Sequence, residues 1–301
     1  MMKQSSLAKL RCPACKQELK LEIHNEVGSG IIEGRLTCQC GRSYPIQNGM
    51  PNFIYPDMLL PSDRMSLKEY EKKGMAEGYD TYVEWLFKIF DEDEDLVRSQ
   101  MTGLLEIGPG SCVLDVGCGT GSDSLHIIQR IKSKGELYAQ DLSSKMLEIA
   151  KSRLASSQTP VEYFLNSASY LPFADGIFDA VFHFGGFNTF GEKGKALAEM
   201  TRVVRTGGKV VIGDESVPPW LRGKMFGKIL MKYNPLYKYE VPLTYLPENA
   251  RNVCLRWILG NAFWLIDYRV GNGPPKLDID LPIPFKGDTI RSRYYGTKTD
   301  K

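Results

Sequence analysis

The sequence lacks any run of about 18 apolar residues, the length that a helix needs to cross a bilayer. Residues 1–10 contain only short apolar pieces and lack the apolar core of a signal peptide. We therefore predict no membrane span and a cytoplasmic location. A strong charge of either sign is also missing. The formal net charge is only +2, so composition does not require a nucleic-acid or membrane partner.

The seven cysteines are too unevenly placed for a disulfide framework and favour a reducing compartment with a metal site. Cys12 and Cys15 form a tight C-x-x-C knuckle, and Cys38 and Cys40 follow a predicted hairpin. Four thiolates on two turns can bind zinc tetrahedrally, and so small a segment would take folding energy from the metal. We predict a structural zinc held by these four residues. Because the second pair is C-x-C, four reduced cysteines without metal, or His24 as a substitute ligand, are the alternatives.

The sequence from residue 113 onwards predicts a strand, a glycine turn and the beginning of a helix. Val113–Val116 is apolar apart from Asp115, glycines follow at every second position, and a helical apolar rhythm begins at Ser122. Such glycines let the backbone approach a ligand closely. The acid would repel a pyrophosphate, so this corner suits a cationic ligand. The alternative is a strand–turn–helix without a ligand.

A second acid follows the next predicted strand. Asp141 lies 20 residues after Gly121, at the end of a strand over 136–140. A carboxylate there can accept two hydrogen bonds from a ribose diol. The third strand, at 161–165, is followed by Ser167 and Ala168.

The stretch from Asp115 to Gly121 resembles motif I of the class I S-adenosylmethionine (SAM) methyltransferases, in which the acid and glycines hold the methionine end of SAM. The segment Asp141–Leu147 also resembles this family. The resemblance implies an α/β, Rossmann-like fold, with a central, mostly parallel seven-stranded sheet and helices on both faces. It predicts SAM as cofactor. Many relatives have an adenine-binding Asp where Ser167 stands. The predicted SAM contacts are Asp115, Gly117, Cys118, Gly119, Thr120, Gly121, Asp141, Leu142, Met146, Ser167, Ala168 and Phe184.

Residues 8–56 resemble the zinc-ribbon family of small partner proteins of RNA and protein methyltransferases. We predict a zinc ribbon over 1–56, a linker and helices covering the SAM pocket over 57–105, and the methyltransferase domain over 106–301. Within that domain we expect an aromatic lid insertion at about 217–259 that is helical in part. An antiparallel strand pair over 261–270 and 289–297 should complete the sheet.

The predicted acceptor site follows the fourth and fifth strands. The fourth ends in Phe184-Gly185-Gly186-Phe187, where relatives that methylate planar nitrogens hold Asn-Pro-Pro-aromatic, which argues against base or glutamine N-methylation. His183 is a candidate general base, with a hydrogen-bonded core histidine as the alternative. Asp214, followed by Glu215, stands at the usual ligand crevice and is the second catalytic candidate; solvated loop charges are the alternative.

The chain as a whole resembles the ubiquinone/menaquinone-type methyltransferases. We therefore predict methyl transfer to a carbon or oxygen of a small aromatic or lipophilic acceptor. Residues 216–301 hold 14 Lys+Arg against 7 Asp+Glu, so a basic, aromatic lid could suit RNA or an anionic hydrophobic molecule. The lack of a cluster of five or more basic residues favours the small molecule. An rRNA or tRNA methyltransferase that binds RNA through the ribbon, and a non-catalytic SAM-fold scaffold, are the alternatives.

Overall fold

The computed structural model describes residues 1–72 and 74–295, and all structural statements below concern these residues. The strands are β1 Leu19–Val27, β2 Gly30–Cys38, β3 Ser43–Gln47, β4 Met50–Pro51, β5 Cys112–Val116, β6 Glu136–Asp141, β7 Val161–Leu165, β8 Phe178–Phe184, β9 Val204–Glu215, β10 Ala250–Ile258 and β11 Phe263–Val270. The helices are α1 Pro61–Tyr70, α2 Met75–Ile89, α3 Glu94–Gly103, α4 Ser122–Ile131, α5 Ser144–Arg153, α6 Lys193–Val203, α7 Pro219–Arg222, α8 Met225–Tyr233 and α9 Ile290–Tyr295.

The larger sheet has seven strands in the order β10-β11-β9-β8-β5-β6-β7. Strands β9, β8, β5, β6 and β7 are parallel, and β11 and β10 add an antiparallel edge. The order reverses between β5 and β8, which is where open parallel sheets place their ligand crevice. The predicted α/β fold with a mostly parallel seven-stranded sheet is confirmed.

Strand residues alternate between two hydrophobic cores, one on each face of this sheet. Leu114 and Val181 pack with α6 on one face, and Val113 and Ala180 pack with helices α3, α4 and α5 on the other. Successive side chains of a strand point to opposite faces, so a buried parallel strand must be apolar at nearly every position. Asp115 is therefore an exception that needs a specific partner.

The N-terminal segment forms a four-stranded antiparallel sheet that packs on the first of these faces. Its chain continues alongside the edge strand β7, where the Phe53 N–H donates to the Leu165 carbonyl at 2.7 Å. The Ser6 hydroxyl donates to Glu162 at 2.6 Å, and Lys16 pairs with Glu199 at 2.5 Å. Covering an edge strand blocks its unpaired backbone groups from other chains. The N-terminal segment is thus a fixed part of the fold.

The C-terminal third differs from the prediction. Residues 250–258, expected to be helical lid, form the edge strand β10, so the segment between β9 and β10 ends at residue 249. The turn from β10 to β11 has positive φ at Leu259, Gly260 and Asn261, and a Gly-Asn dipeptide is a hairpin signal. Pairing with β11 outweighs helix propensity there. The strand expected over 289–297 is replaced by helix α9, and residues 296 and 297 lie outside the described part of the chain.

Within the described residues, no helix is both long enough and apolar enough to cross a membrane.

Candidate active site

A deep cavity opens at the carboxyl ends of β5 to β9 and is covered by α1 and α2. Its floor comes from the last residues of these strands and the residues that follow them, and its cover comes from side chains of the two helices. From the floor, the lining residues include Gly117, Cys118, Gly119, Thr120, Gln140, Asp141, Leu142, Ser143, Met146, Ser167, Ala168, His183, Phe184, Gly185, Gly186 and Glu215. The cover contributes Asp63, Ser66, Leu67, Tyr70, Tyr79, Tyr82, Val83, Leu86 and Phe87.

The glycine turn is held to the end of β6 by hydrogen bonds. Gly117 and Gly119 have φ of 62° and 53°, a region that disfavours residues with a Cβ. The Gly117 N–H donates to the Gln140 side chain at 3.0 Å, and the Gly119 N–H donates to the Asp141 carboxylate at 2.9 Å. The other Asp141 oxygen accepts from Ser143 N–H at 2.8 Å. Burial raises the pKa of Asp141, and these backbone donors oppose that rise.

Two predicted contact residues, Asp115 and Gly121, are outside the described lining of the cavity. Asp115 is buried and accepts a hydrogen bond of 2.5 Å from the Ser124 hydroxyl at the start of α4. A Cβ on Gly121 would lie 3.2 Å from the Ala150 Cβ, so this glycine lets α4 approach α5. Both residues shape the turn from behind, while the four residues between Val116 and Gly121 line the cavity.

The other ten predicted contact residues all line the cavity. The Thr120 hydroxyl also donates to Asp80 of α2 at 2.7 Å, which ties the cover to the floor. The Ser167 oxygen accepts from Ser169 N–H at 3.3 Å, which leaves its own proton free to donate to a ligand. A serine hydroxyl can donate and accept at once, whereas an ionised Asp can only accept.

His183 lies at the base of the cavity with one ring nitrogen unpaired. It is fully buried, and its Nδ1 is 2.7 Å from the Val116 carbonyl oxygen. Since a carbonyl can only accept, Nδ1 carries the proton and Nε2 presents a lone pair. Nε2 is buried and has no hydrogen-bond partner among the described residues. Burial lowers the pKa of His183, so the ring is neutral at pH 7.

Asp214, the second catalytic candidate, is not among the described residues that line the cavity. Its carboxylate accepts from the N–H groups of Gly186 at 3.2 Å, Asn188 at 2.5 Å and Glu215 at 2.9 Å. It therefore fixes the loop after β8. Three backbone donors satisfy a buried carboxylate, so Asp214 has little capacity left for a substrate.

Glu215, the next residue, takes the position at the cavity wall. Its Oε2 is buried without a hydrogen-bond partner in the described chain. Burial, followed by the neighbouring Asp214 carboxylate, raises the pKa of Glu215 well above its ordinary value. The sequence places both acids at the end of β9 but does not say which one faces inwards, because strand alternation depends on the register of the whole sheet.

The cover is aromatic and the cavity is acidic. Tyr70, Tyr79 and Tyr82 line the cavity. Arg98 is the single cation in the described lining, and it is paired with Asp123 at 2.7 Å and Glu94 at 2.8 Å. The basic residues of 216–295 contribute nothing to this lining. The expectation that they could bind an anionic acceptor in the cavity finds no support here.

The four N-terminal cysteines converge. Their sulfurs all lie within 4.8 Å of one another, with Cys12 and Cys40 at 3.7 Å and Cys15 and Cys38 at 3.4 Å. Four sulfurs at about 2.3 Å from a tetrahedral zinc would lie about 3.8 Å apart, so the set could hold such an ion. His24 is outside the cluster and lies 3.3 Å from Glu22 on the exposed surface of β1.

Comparison with known families gives two matches. Residues 113–208 match the methyltransferase domain family, and residues 7–49 match the Trm112p-like protein family. Demethylmenaquinone methyltransferases of Bacillus cereus and Bacillus anthracis are 33% identical over 147 residues, which are 48% of this chain and 60% of each relative. The chain thus spans less than two thirds of these curated relatives.

Among solved structures, Haemonchus contortus phosphoethanolamine N-methyltransferase 2 in complex with S-adenosyl-L-methionine superposes with a TM-score of 0.53 at 14% identity. The alignment covers 74% of this chain and 62% of that one. At this identity the likeness concerns the fold alone. Residues 113–208 therefore form a methyltransferase domain, and residues 7–49 before it form a Trm112p-like segment.

Proposed function

We propose that the protein transfers the methyl group of SAM to a carbon or oxygen of a small aromatic or lipophilic acceptor. The observation that carries this proposal is one cavity with two parts. The glycine turn and Asp141 form one part, and His183 and Glu215 line the same cavity, each with a buried side-chain atom that has no hydrogen-bond partner among the described residues. We propose that the segment over 57–105 covers it, since α1 and α2 line the cavity, whereas no residue of 217–249 is in the described lining.

The residues present fit SAM. A Cβ on Gly119 would meet nothing within 4 Å, so the turn is open toward the cavity, and Asp141 stands ready for a ribose diol. We propose that these residues, with the other predicted contacts in the lining, hold SAM, which would supply an activated methyl group. The chain then has only to exclude water, orient the acceptor and accept its proton.

His183 and Glu215 favour an acceptor that donates hydrogen bonds. The Nε2 of His183 and the Oε2 of Glu215 are buried polar atoms without a hydrogen-bond partner among the described residues, and leaving such an atom unpaired costs about 1–3 kcal/mol. A hydroxylated ring would satisfy them, and the tyrosines of the cover could pack against its face. A long polyanion fits this acidic lining poorly, which argues against RNA as the acceptor.

A methylation screen tests this function. Purified protein and radiolabelled SAM should label phenols and hydroquinones with apolar substituents, whereas the corresponding dimethyl ethers, which cannot donate a hydrogen bond, should stay unlabelled. Glu215→Gln should lower labelling by up to about tenfold, because a buried hydrogen bond to a neutral group contributes about 0.5–1.5 kcal/mol. SAM affinity should stay unchanged in this variant, and the exposed Glu240→Gln should behave as wild type.

Two outcomes would contradict this proposal. Saturable RNA binding near physiological salt, with label in total tRNA or rRNA, would favour the RNA enzyme. SAM binding without turnover on any acceptor would favour a scaffold.

A second prediction concerns His183. His183→Gln should lower the rate of methyl transfer by about 10²–10⁴-fold, the usual contribution of a general base. Because burial lowers the pKa of this imidazole, the wild-type rate should be flat above pH 6.5 and fall as the pH drops through the lowered pKa. The pH–rate profile measures this, with His126→Gln, a buried histidine outside this cavity, as control. An acidic limb that persists in His183→Gln would exclude His183 as the base.

A further inference from the structure

An exposed apolar patch lies beside the mouth of the cavity. We call it the rim patch, and it consists of Tyr82, Trp85, Met225, Ile229 and Tyr233. The Trp85 ring joins the two helices, with its centroid 5.9 Å from Tyr82 and 5.8 Å from Tyr233. Met225 is 74% exposed and Ile229 57% exposed. Single exposed apolar residues are ordinary, but a contiguous group marks an interaction surface.

Helix α8 presents its large apolar side chains to the outside, whereas a helix that packs only on a core buries them. Met225, Ile229 and Tyr233 are spaced by four residues and so share one face. Gly227 and Leu230 are the buried residues of the helix. Helix α8 therefore packs on the domain through a narrow strip and presents most of its apolar area to the outside.

Basic side chains accompany this apolar face. Between Trp220 and Tyr239 the chain contains no acid and five cations: Arg222, Lys224, Lys228, Lys232 and Lys238. The four lysines are exposed. On α2, Asp80 is paired with Arg153, and Glu84 lies 4.0 Å from Lys88, so these two acids have partners of their own.

We infer that the rim patch and the lysines of α8 dock on the surface of an anionic lipid bilayer. Apolar and aromatic side chains on one face of a short helix, with lysines beside them, are what an interfacial helix uses to enter the headgroup region. The lysine stems can pack on acyl chains while their ammonium groups reach lipid phosphates. Tyr82 belongs both to the patch and to the cavity lining, so docking places the cavity mouth at the membrane.

Co-sedimentation with vesicles tests this inference with the full chain and without SAM or acceptor, so its result is independent of the proposed activity. Wild-type protein should bind vesicles of phosphatidylglycerol and phosphatidylcholine more tightly than vesicles of phosphatidylcholine alone, and added salt should reduce the difference. Met225→Ser with Ile229→Ser should lower partitioning roughly tenfold through lost apolar burial. Lys228→Gln with Lys232→Gln should lower it by at least roughly tenfold, on anionic vesicles only.

Matched control variants change residues that are far from α2 and α8 in the sequence. Leu277→Ser with Leu281→Ser removes apolar side chains of similar exposure, and Lys276→Gln with Lys286→Gln removes two exposed charges. Both should bind like wild type. The inference is overturned if wild-type protein binds neither kind of vesicle, or if the rim-patch variant binds as tightly as its control. Because all four pairs are exposed, thermal unfolding should be the same in every variant.

Discussion

Gly117→Val will lose at least about 100-fold in affinity for SAM, a free-energy change of about 2.7 kcal/mol. Two penalties combine at this position. A β-branched residue at a φ of 62° costs at least about 1–2 kcal/mol, and the new Cβ would lie 3.3 Å from the His183 ring. The strained turn would also move the Gly117 and Gly119 N–H groups away from Gln140 and Asp141. Titration calorimetry with SAM and with S-adenosylhomocysteine measures the loss.

A control separates local strain from damage to the site. Gly176 also has positive φ, 64°, and lies outside the described lining of the cavity. Gly176→Val should lower the melting temperature and leave the affinity for SAM unchanged. Asp141→Ala should lose about 100-fold in affinity, because it removes the charge-assisted hydrogen bonds that we propose Asp141 makes to the ribose, and Asp141→Asn should lose less. Undiminished binding in both Gly117→Val and Asp141→Ala would exclude this cavity as the SAM site.

Removing zinc, or replacing one cysteine of the cluster, should unfold the N-terminal segment. We propose that Cys12, Cys15, Cys38 and Cys40 hold one structural zinc ion. Structural zinc contributes apparent binding free energies of about 10–16 kcal/mol in small zinc-finger peptides. Cys15→Ser changes an exposed member of the set, so the lost stability comes from the metal rather than from packing. Metal analysis should fall from one zinc per chain to nearly none.

Hydrogen exchange would show where that stability is lost. Amides of β1 to β3 should exchange faster in Cys15→Ser, and the Phe53 amide should follow because its hydrogen bond to the Leu165 carbonyl depends on the segment. Cys254→Ser, an exposed cysteine outside the cluster, is the matched control. A segment that purifies without metal and keeps its slow exchange would contradict the assignment.

The sequence alone determined the features that depend on neighbouring residues. The run from Asp115 to Gly121 predicts a strand, a tight turn and a helix, because its glycines and apolar periodicity act locally. The placement of Asp141 after the next strand follows from the same reasoning, since carboxyl ends of parallel strands meet at one edge. The convergence of four cysteines also follows from two knuckles joined by a hairpin.

The tertiary structure decided which side chains face the cavity. Asp214 and Glu215 are adjacent acids, and only the register of β9 between β8 and β11 directs Glu215 inwards and Asp214 to the backbone of the neighbouring loop. The position of Asp115 behind the turn likewise depends on which face of β5 meets α4. Residues 250–258 form a strand because β11 offers an unpaired edge, and pairing across a sheet is a long-range interaction that local propensity does not contain.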